Sequence, residues 1–318
     1  MSEPVTAAQR ELLFQRSPVT HHDQRLFIAK LLVALLLAVA GVALVIAGSA
    51  VFVIAGIIVL GAVYTHMVEL QHQCLHHSAF VRPAPHRMVG VVLGLPLLIS
   101  YSHYRVRHLQ HHKYLGTAKD TEFFGFDTRK PLTYGSLARG MFDYRRLVRV
   151  VFASWQSWRG NWRFENGQIS ERLHRDSVFE YRLIGVAVVS ASVASALGLG
   201  ELVLRLWLLP LLLVAIPLHF IVELPEHVMC DESRDVLRNT RSITGSRLSR
   251  WFTNGNNLHI EHHAAMGVPL QQLPDRHPYV QRTARHVERS YWTFYRRVIR
   301  EVVHQPRRAT SSSGSPPP

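Results

Sequence analysis

Apolar residues in this chain do not alternate with polar ones; they run. Between Leu31 and Tyr64 lie 34 residues without an Asp, Glu, Lys or Arg. A helix of that length rises about 51 Å, against about 30 Å for the hydrocarbon core of a bilayer. One straight crossing is excluded, and a helical hairpin is predicted: Leu26–Ala47, a turn at Gly48-Ser49, then Ala50–Leu70. A second hairpin is predicted from Tyr181–Leu199, a turn at Gly200-Glu201, and Leu202–Leu224. Pro210 and Pro217 fall in its second arm, where a membrane helix tolerates proline better than a soluble one does. Met88–Tyr101, between the hairpins, is uncharged for only 14 residues, a length suited to an interfacial or re-entrant segment. The pattern predicts an all-α integral membrane fold of two transmembrane hairpins, four spans in all, with a short interfacial segment and a cytoplasmic helical cap. Residues 1–25 form an N-terminal segment and 26–275 the membrane domain. Tyr279–Val303 has helical apolar spacing and sets a C-terminal helix at 276–306, and the polar tail 307–318 is too poor in apolar residues to fold.

Charge orients this arrangement. Neither predicted hairpin turn contains Lys or Arg, and Arg205 alone of the 36 basic residues lies near that side. Arg16, Arg25 and Lys30, Arg82 and Arg87, Arg172, Arg175 and Arg182, and Arg234, Arg238 and Arg241 flank the opposite ends of the spans. By the positive-inside rule that face is cytoplasmic. No cleavable signal peptide is read, because the first apolar run is too long and lacks a small-residue cleavage site. Cys74 and Cys230 fall on the reducing side and belong to no CxxC pair, which argues against a disulfide or a zinc ribbon. The net charge of +14 has two readings: anchoring against anionic lipid, or a docking surface for an acidic electron-transfer or acyl carrier protein. The stretch from Phe123 to Phe179 interleaves Tyr134, Tyr144, Trp155, Trp158 and Trp162 with arginines, as segments in the headgroup layer do. Nucleic-acid surfaces share that composition, but the flanking spans argue against one here.

Histidine carries the candidate chemistry. Nine of the 20 histidines form three clusters: His72, His76 and His77; His108, His111 and His112; His259, His262 and His263. Residues three and four apart share a helix face, so each cluster can aim several imidazoles at one place, as a metal site requires. The predicted crossings return all three clusters to the same membrane face. His72 and His76 form an i, i+4 pair, while His77 points about 100° away from His76 on a regular helix. Glu69 shares the face of His72 and is a candidate to orient its ring. His227, after the fourth span, is a further candidate ligand, or else a capping histidine. His66 and His219 lie within spans and are read as packing or water-binding residues. His103 is off the cluster spacing, and His21, His22, His86, His174, His277, His286 and His304 carry no spacing signal. So many imidazoles exceed the needs of one ion, so two ions are expected; ligand type alone leaves zinc, copper, iron and nickel open.

The clusters HQCLHH, HLQHH and HIEHH resemble the histidine boxes of the integral-membrane fatty acid desaturase and hydroxylase superfamily. So do their surroundings, Arg105 to Asp120 around the second and Asn256 to Pro274 around the third. The similarity spans roughly residues 26–275. It departs in the extra His77 and in lacking the haem-binding motif of a fused cytochrome b5 domain. The resemblance implies a non-haem di-iron centre that uses O2 to dehydrogenate an acyl chain. It also implies an acyl lipid, acyl-CoA or acyl carrier protein substrate, and a separate ferredoxin or cytochrome b5-type electron donor. Hydroxylation on the same scaffold is the alternative reaction. A membrane metal transporter is the alternative of another class, and it would string its histidines along the spans, where only His66 and His219 lie.

Overall fold

The computed structural model describes residues 7–117, 119–120, 126 and 130–304. The tail from 307 onward and part of the Phe123–Phe179 stretch lie outside them. After α1 (Ala7–Phe14), the first hairpin is α2 (His21–Ile46) and α3 (Ala50–Leu75). Thr20 starts α2 through a capping box with Asp23: the Thr20 hydroxyl accepts from the Asp23 N–H, and the Asp23 carboxylate accepts from the Thr20 N–H at 2.9 Å. These contacts satisfy donors left open at a helix start. Gly48 (φ 82°) makes the turn, and the Ser49 hydroxyl caps α3 by accepting from Phe52 N–H. Leu32, Leu36, Val39, Val51, Ile54 and Ile58 project outward, each more than half exposed. Bare apolar surface on long apolar helices is surface for lipid, and three helical stretches here are long and apolar enough to cross a membrane. The fold is all-α and of the membrane class.

The short segment between hairpins is bent. α4 (Ala84–Gly94) and a 3₁₀ turn at Leu95–Leu97 meet α5 (Tyr101–Tyr114) at 96°. Leu98 adopts φ 57° at the elbow and Ser100 caps α5. The polar stretch forms α6 (Tyr134–Met141) and α7 (Arg145–Trp158), with Phe152, Trp155 and Trp158 exposed on α7.

The third apolar stretch, Glu171–Glu226, is 56 residues long, about 84 Å if it were one straight helix. It contains α8 (Glu171–Ala194), α9 (Gly200–Val203) and α10 (Ile216–Glu223), with π-helical turns between them. The break lies at Gly198 (φ 96°), two residues before the predicted turn. Gly200 itself is helical (φ −59°), so only Gly198 takes the left-handed backbone that glycine tolerates. One of the π-helical segments is Pro210–Ala215, a widened turn of the kind that accommodates a proline without an N–H.

The remaining chain packs beneath the spans. α11 (Val236–Asn239), α12 (Arg247–Phe252) and α13 (His259–Ala264) are short, and α14 (His277–Thr283) and α15 (Tyr291–His304) follow. The helix expected over Tyr279–Val303 is thus two helices. Between them Val287–Glu288 (β2) pairs in parallel with Ser242–Ile243 (β1), and Ser290 restarts the helix by accepting from Thr293 N–H. The tertiary strand pairing overrides the helical spacing. Phe294, Val298 and Val302 of α15 pack against Phe220, Leu224 and Val228, backing the turn that follows α10.

Candidate metal centre

The first box ends α3, whose last eleven residues, Thr65 to Leu75, are all buried. The second box lies on α5. Its start is fixed by the buried Glu180 of α8, which accepts from Ser102 N–H (2.7 Å), Ser100 Oγ (2.9 Å) and Arg87 Nε (3.0 Å). Arg105 Nε donates to Leu75 O at 2.7 Å and Tyr101 Oη to Cys74 O at 2.9 Å, tying the end of α3 to α5. The third box is α13. Its Glu261 is wholly buried and points to structural partners, accepting from Ser242 Oγ and lying 2.5 Å from His277 Nδ1. The other faces of α5 and α13 then carry histidines inward.

Those histidines divide into two groups: His72, His76, His108, His112 and His262 in one, and His111, His227, His259 and His263 in the other. Within each group the nearest ring nitrogens all lie within 4.8 Å of one another. Helix geometry accounts for the division. In each HxxHH box the first and last residues are i and i+4, about 40° apart, while the i+3 residue lies about 100° from the last. His108 and His112 therefore stay together and His111 crosses to the second group; His259 and His263 stay together and His262 crosses to the first. The two groups touch where His112 and His263 stack, centroids 4.0 Å apart.

The nitrogens meet tip to tip. Nε2 atoms approach at 2.7 Å for His72 and His108, 3.0 Å for His108 and His112, 3.1 Å for His112 and His262, 3.1 Å for His111 and His227, and 3.0 Å for His259 and His263. Two nitrogens bound at right angles to one ion about 2.1 Å away stand about 3 Å apart, so the spacing fits a shared cation. His76 Nε2 is buried without a hydrogen-bond partner among the described residues. Three far ring nitrogens, all in the second group, are held from behind, as ligand imidazoles require: His111 Nδ1 lies 3.0 Å from Asp120, His227 Nδ1 3.2 Å from Asn239 O, and His259 Nδ1 3.1 Å from Asn256 Oδ1. Burial, and after it the crowding of neighbouring imidazoles, pushes His259, His262 and His263 well below the usual imidazole range. Their lone pairs are therefore free for a metal at neutral pH.

Two sequence candidates fall outside the groups. His77 is in neither. Its N–H donates to Cys74 O, its backbone turns left-handed (φ 53°), and its ring stacks on His86 at 4.8 Å. Glu69 makes no hydrogen bond to His72; both side chains lean toward the helix N-terminus and stay a turn apart. His66 packs instead, 2.6 Å from Phe252 O and stacked on Trp251.

His227, left open by the sequence, joins the second group from an irregular turn. That turn folds round Arg241, which is 1% exposed. Arg241 Nη1 donates to the carbonyls of Pro225 and Val228 (2.7 Å for the latter), Nη2 to Met229 O at 3.4 Å, and the Arg241 N–H to Glu226 O at 2.8 Å. Glu226 places a carboxylate oxygen 3.2 Å from His259 Nε2. Neither Arg241 nor Glu226 carries a spacing signal. Arg241 reads as one more span-flanking cation until its burial is seen.

Both groups open on one cavity of about 460 Å³, lined by His72 and His108 from the first and His111 and His227 from the second. A second cavity, about 620 Å³, shares Tyr104 and Glu223 with it and adds Leu97, Leu98, Val150, Phe152, Ile216 and Phe220.

Comparison with known proteins gives the family. Over 236 residues the chain is 26% identical to a dihydrorhizobitoxine desaturase of Bradyrhizobium elkanii, covering 68% of this chain and 64% of that protein. Over 227 residues it is 23% identical to an sn-1 oleoyl-lipid 12-desaturase of Arthrospira platensis, covering 67% and 64%. The chain thus spans a little under two thirds of the length of each. The family model described as fatty acid desaturase matches residues 47–295, a range that holds all three boxes and His227, and the chain belongs to that family.

Proposed function

We propose that the chain is an O2-dependent acyl-chain desaturase of the membrane, holding two iron ions in its two histidine groups. The observation that carries this reading is the convergence of three distant boxes and His227 into adjacent groups facing one cavity. An acyl methylene has no acidic proton for a general base to remove. Iron, when bound, supplies the redox chemistry that zinc lacks. His72, His76, His108, His112 and His262 would hold one ion and His111, His227, His259 and His263 the other. Asp120, Asn239 and Asn256 would fix three of those rings in orientation.

The substrate class is an acyl lipid, in keeping with the oleoyl-lipid named for one relative. Its alkyl chain would lie along Leu97, Leu98, Val150, Phe152, Ile216 and Phe220 in the second cavity, whose lining also offers Arg107, Arg146 and Arg149 to a polar head. It would reach the histidines past Tyr104 and Glu223, which line both cavities. The basic flanks of the spans support placing the site on the cytoplasmic face, with electrons delivered by a separate donor.

The test is to purify the chain, measure its iron, and compare lipid and free acid profiles of expressing and non-expressing cells by mass spectrometry, with and without O2. About two irons per chain and acyl chains lacking two hydrogens are expected. Acyl chains that gain an oxygen would instead make it a hydroxylase. Unchanged lipids with altered metal uptake by the cells would make it a transporter.

A further inference from the structure

A third cavity, about 540 Å³, lies between the end of α5 and α11. Its wall contains His112, from the five-histidine group, and His263, from the four-histidine group, and these are the two rings that stack. It adjoins the first cavity, sharing Leu115, Thr117 and Asn239 with it, but meets the two groups through a different pair of rings. Lys113, Lys119 and Arg234 also line it, all three exposed. No carboxylate is among the described lining residues. The ammonium groups of Lys113 and Lys119 lie 5.1 and 5.8 Å from the centroid of the Tyr114 ring, so one aromatic ring contacts both.

Other arginines have carboxylate partners. Arg238 and Arg285 both pair with Asp231, and Arg297 pairs with Glu288. The described carboxylates close in sequence to the cleft do not line it. Asp120 meets His111, Asp235 accepts from Leu237 N–H at 3.0 Å to start α11, and Glu232 lines the first cavity. The three cleft cations form no ion pair among the described residues. Like charges held together without counter-charge repel one another. Grouped around a concave opening, they make a surface complementary to an acidic partner.

We propose that this cleft is the docking site of an acidic one-electron redox protein, with His112 and His263 as the points nearest its cofactor. The inference rests on the oxidoreductase reading given above. Reducing O2 to two waters takes four electrons and four protons. Removing two hydrogens from the acyl chain supplies two of each, so two electrons must come from a reductant and two protons from water. A one-electron carrier docks twice per turnover, which rewards fast, charge-steered association over tight binding. A bilayer surface also attracts cations, but a flat headgroup layer does not fill a concave cleft that reaches His112 and His263.

The test uses the full metal-loaded chain in detergent. Its reduction by a reduced acidic [2Fe–2S] ferredoxin is followed by stopped flow at rising ionic strength, and its reduction by sodium dithionite in parallel. For the natural chain the ferredoxin rate should fall about tenfold or more between low and high salt. Lys113→Glu, Lys119→Glu and Arg234→Glu combined should lose about tenfold at low salt and lose the salt dependence, while the dithionite rate stays within about twofold. The three Gln replacements should fall between, and they serve if the reversed variant folds poorly. Ferredoxin reduction that is unchanged by the substitutions overturns the proposal. So does a charge reversal that abolishes binding to phosphatidylglycerol vesicles but leaves ferredoxin reduction intact, which marks a lipid site. A natural chain that dithionite cannot reduce removes the redox function itself, and this inference with it.

Discussion

The two histidine groups are built by different means. Four of the five residues in the first come as i, i+4 pairs at the end of α3 and on α5, both regular helices, and α13 supplies His262. The second draws three residues from α5 and α13 but takes His227 from a turn with no repeating geometry, folded round a buried guanidinium. One group is specified by helix period and the other by a tertiary fold of the backbone. The first should therefore form wherever α3 and α5 are packed, and the second should respond to changes far from any imidazole.

Ligand removal should expose the contrast most strongly. Replacing His262 or His108 by alanine is expected to lower desaturation by more than a hundredfold, since loss of an outer partner alone costs about 10–100-fold. Iron should fall toward one per chain. His227→Ala should abolish activity equally but keep the ion of the five-histidine group. Metal analysis with X-ray absorption distinguishes these outcomes, and equal iron loss from both groups in every variant would show that they load as one unit. A smaller effect is expected at Arg241. Arg241→Met leaves the carbonyls of Pro225, Val228 and Met229 without their donor, at about 1–3 kcal/mol for each buried group left unpaired. Iron affinity should drop about tenfold in the second group alone, with partial recovery in Arg241→Lys; titration of metal-free protein with ferrous iron reads both. At the bottom of the scale, His77→Ala should retain two irons and activity within about twofold. Loss of an ion there would place His77 in a group after all.

This contrast also explains what the sequence makes legible. The spans follow from uninterrupted apolar runs, and the pairing of His108 with His112 or His259 with His263 follows from helix period. The left-handed turn that removes His77 cannot be read from spacing, because it begins where the helix stops. His227 stands more than thirty residues from the box it joins, and no local pattern reports that distance. Arg241 is hidden for another reason: a cation beside a membrane span has a ready explanation at the surface, and only its burial contradicts it. Gly198 and Gly200 both offer a turn in the sequence, and only Gly198 takes the positive φ.

α3 is lipid-facing at its start and wholly buried at its end, within one unbroken helix of 26 residues. It therefore acts as a ruler and a dial. Its rise of about 39 Å exceeds a hydrocarbon core of about 30 Å, so its length sets how far below the membrane the first histidines stand. Its winding, about 100° per residue, sets the direction in which they point. Inserting a single residue between Tyr64 and Glu69 would lower His72 and His76 by only about 1.5 Å, yet turn both away from α5. Depth tolerates drift in this helix; phase does not.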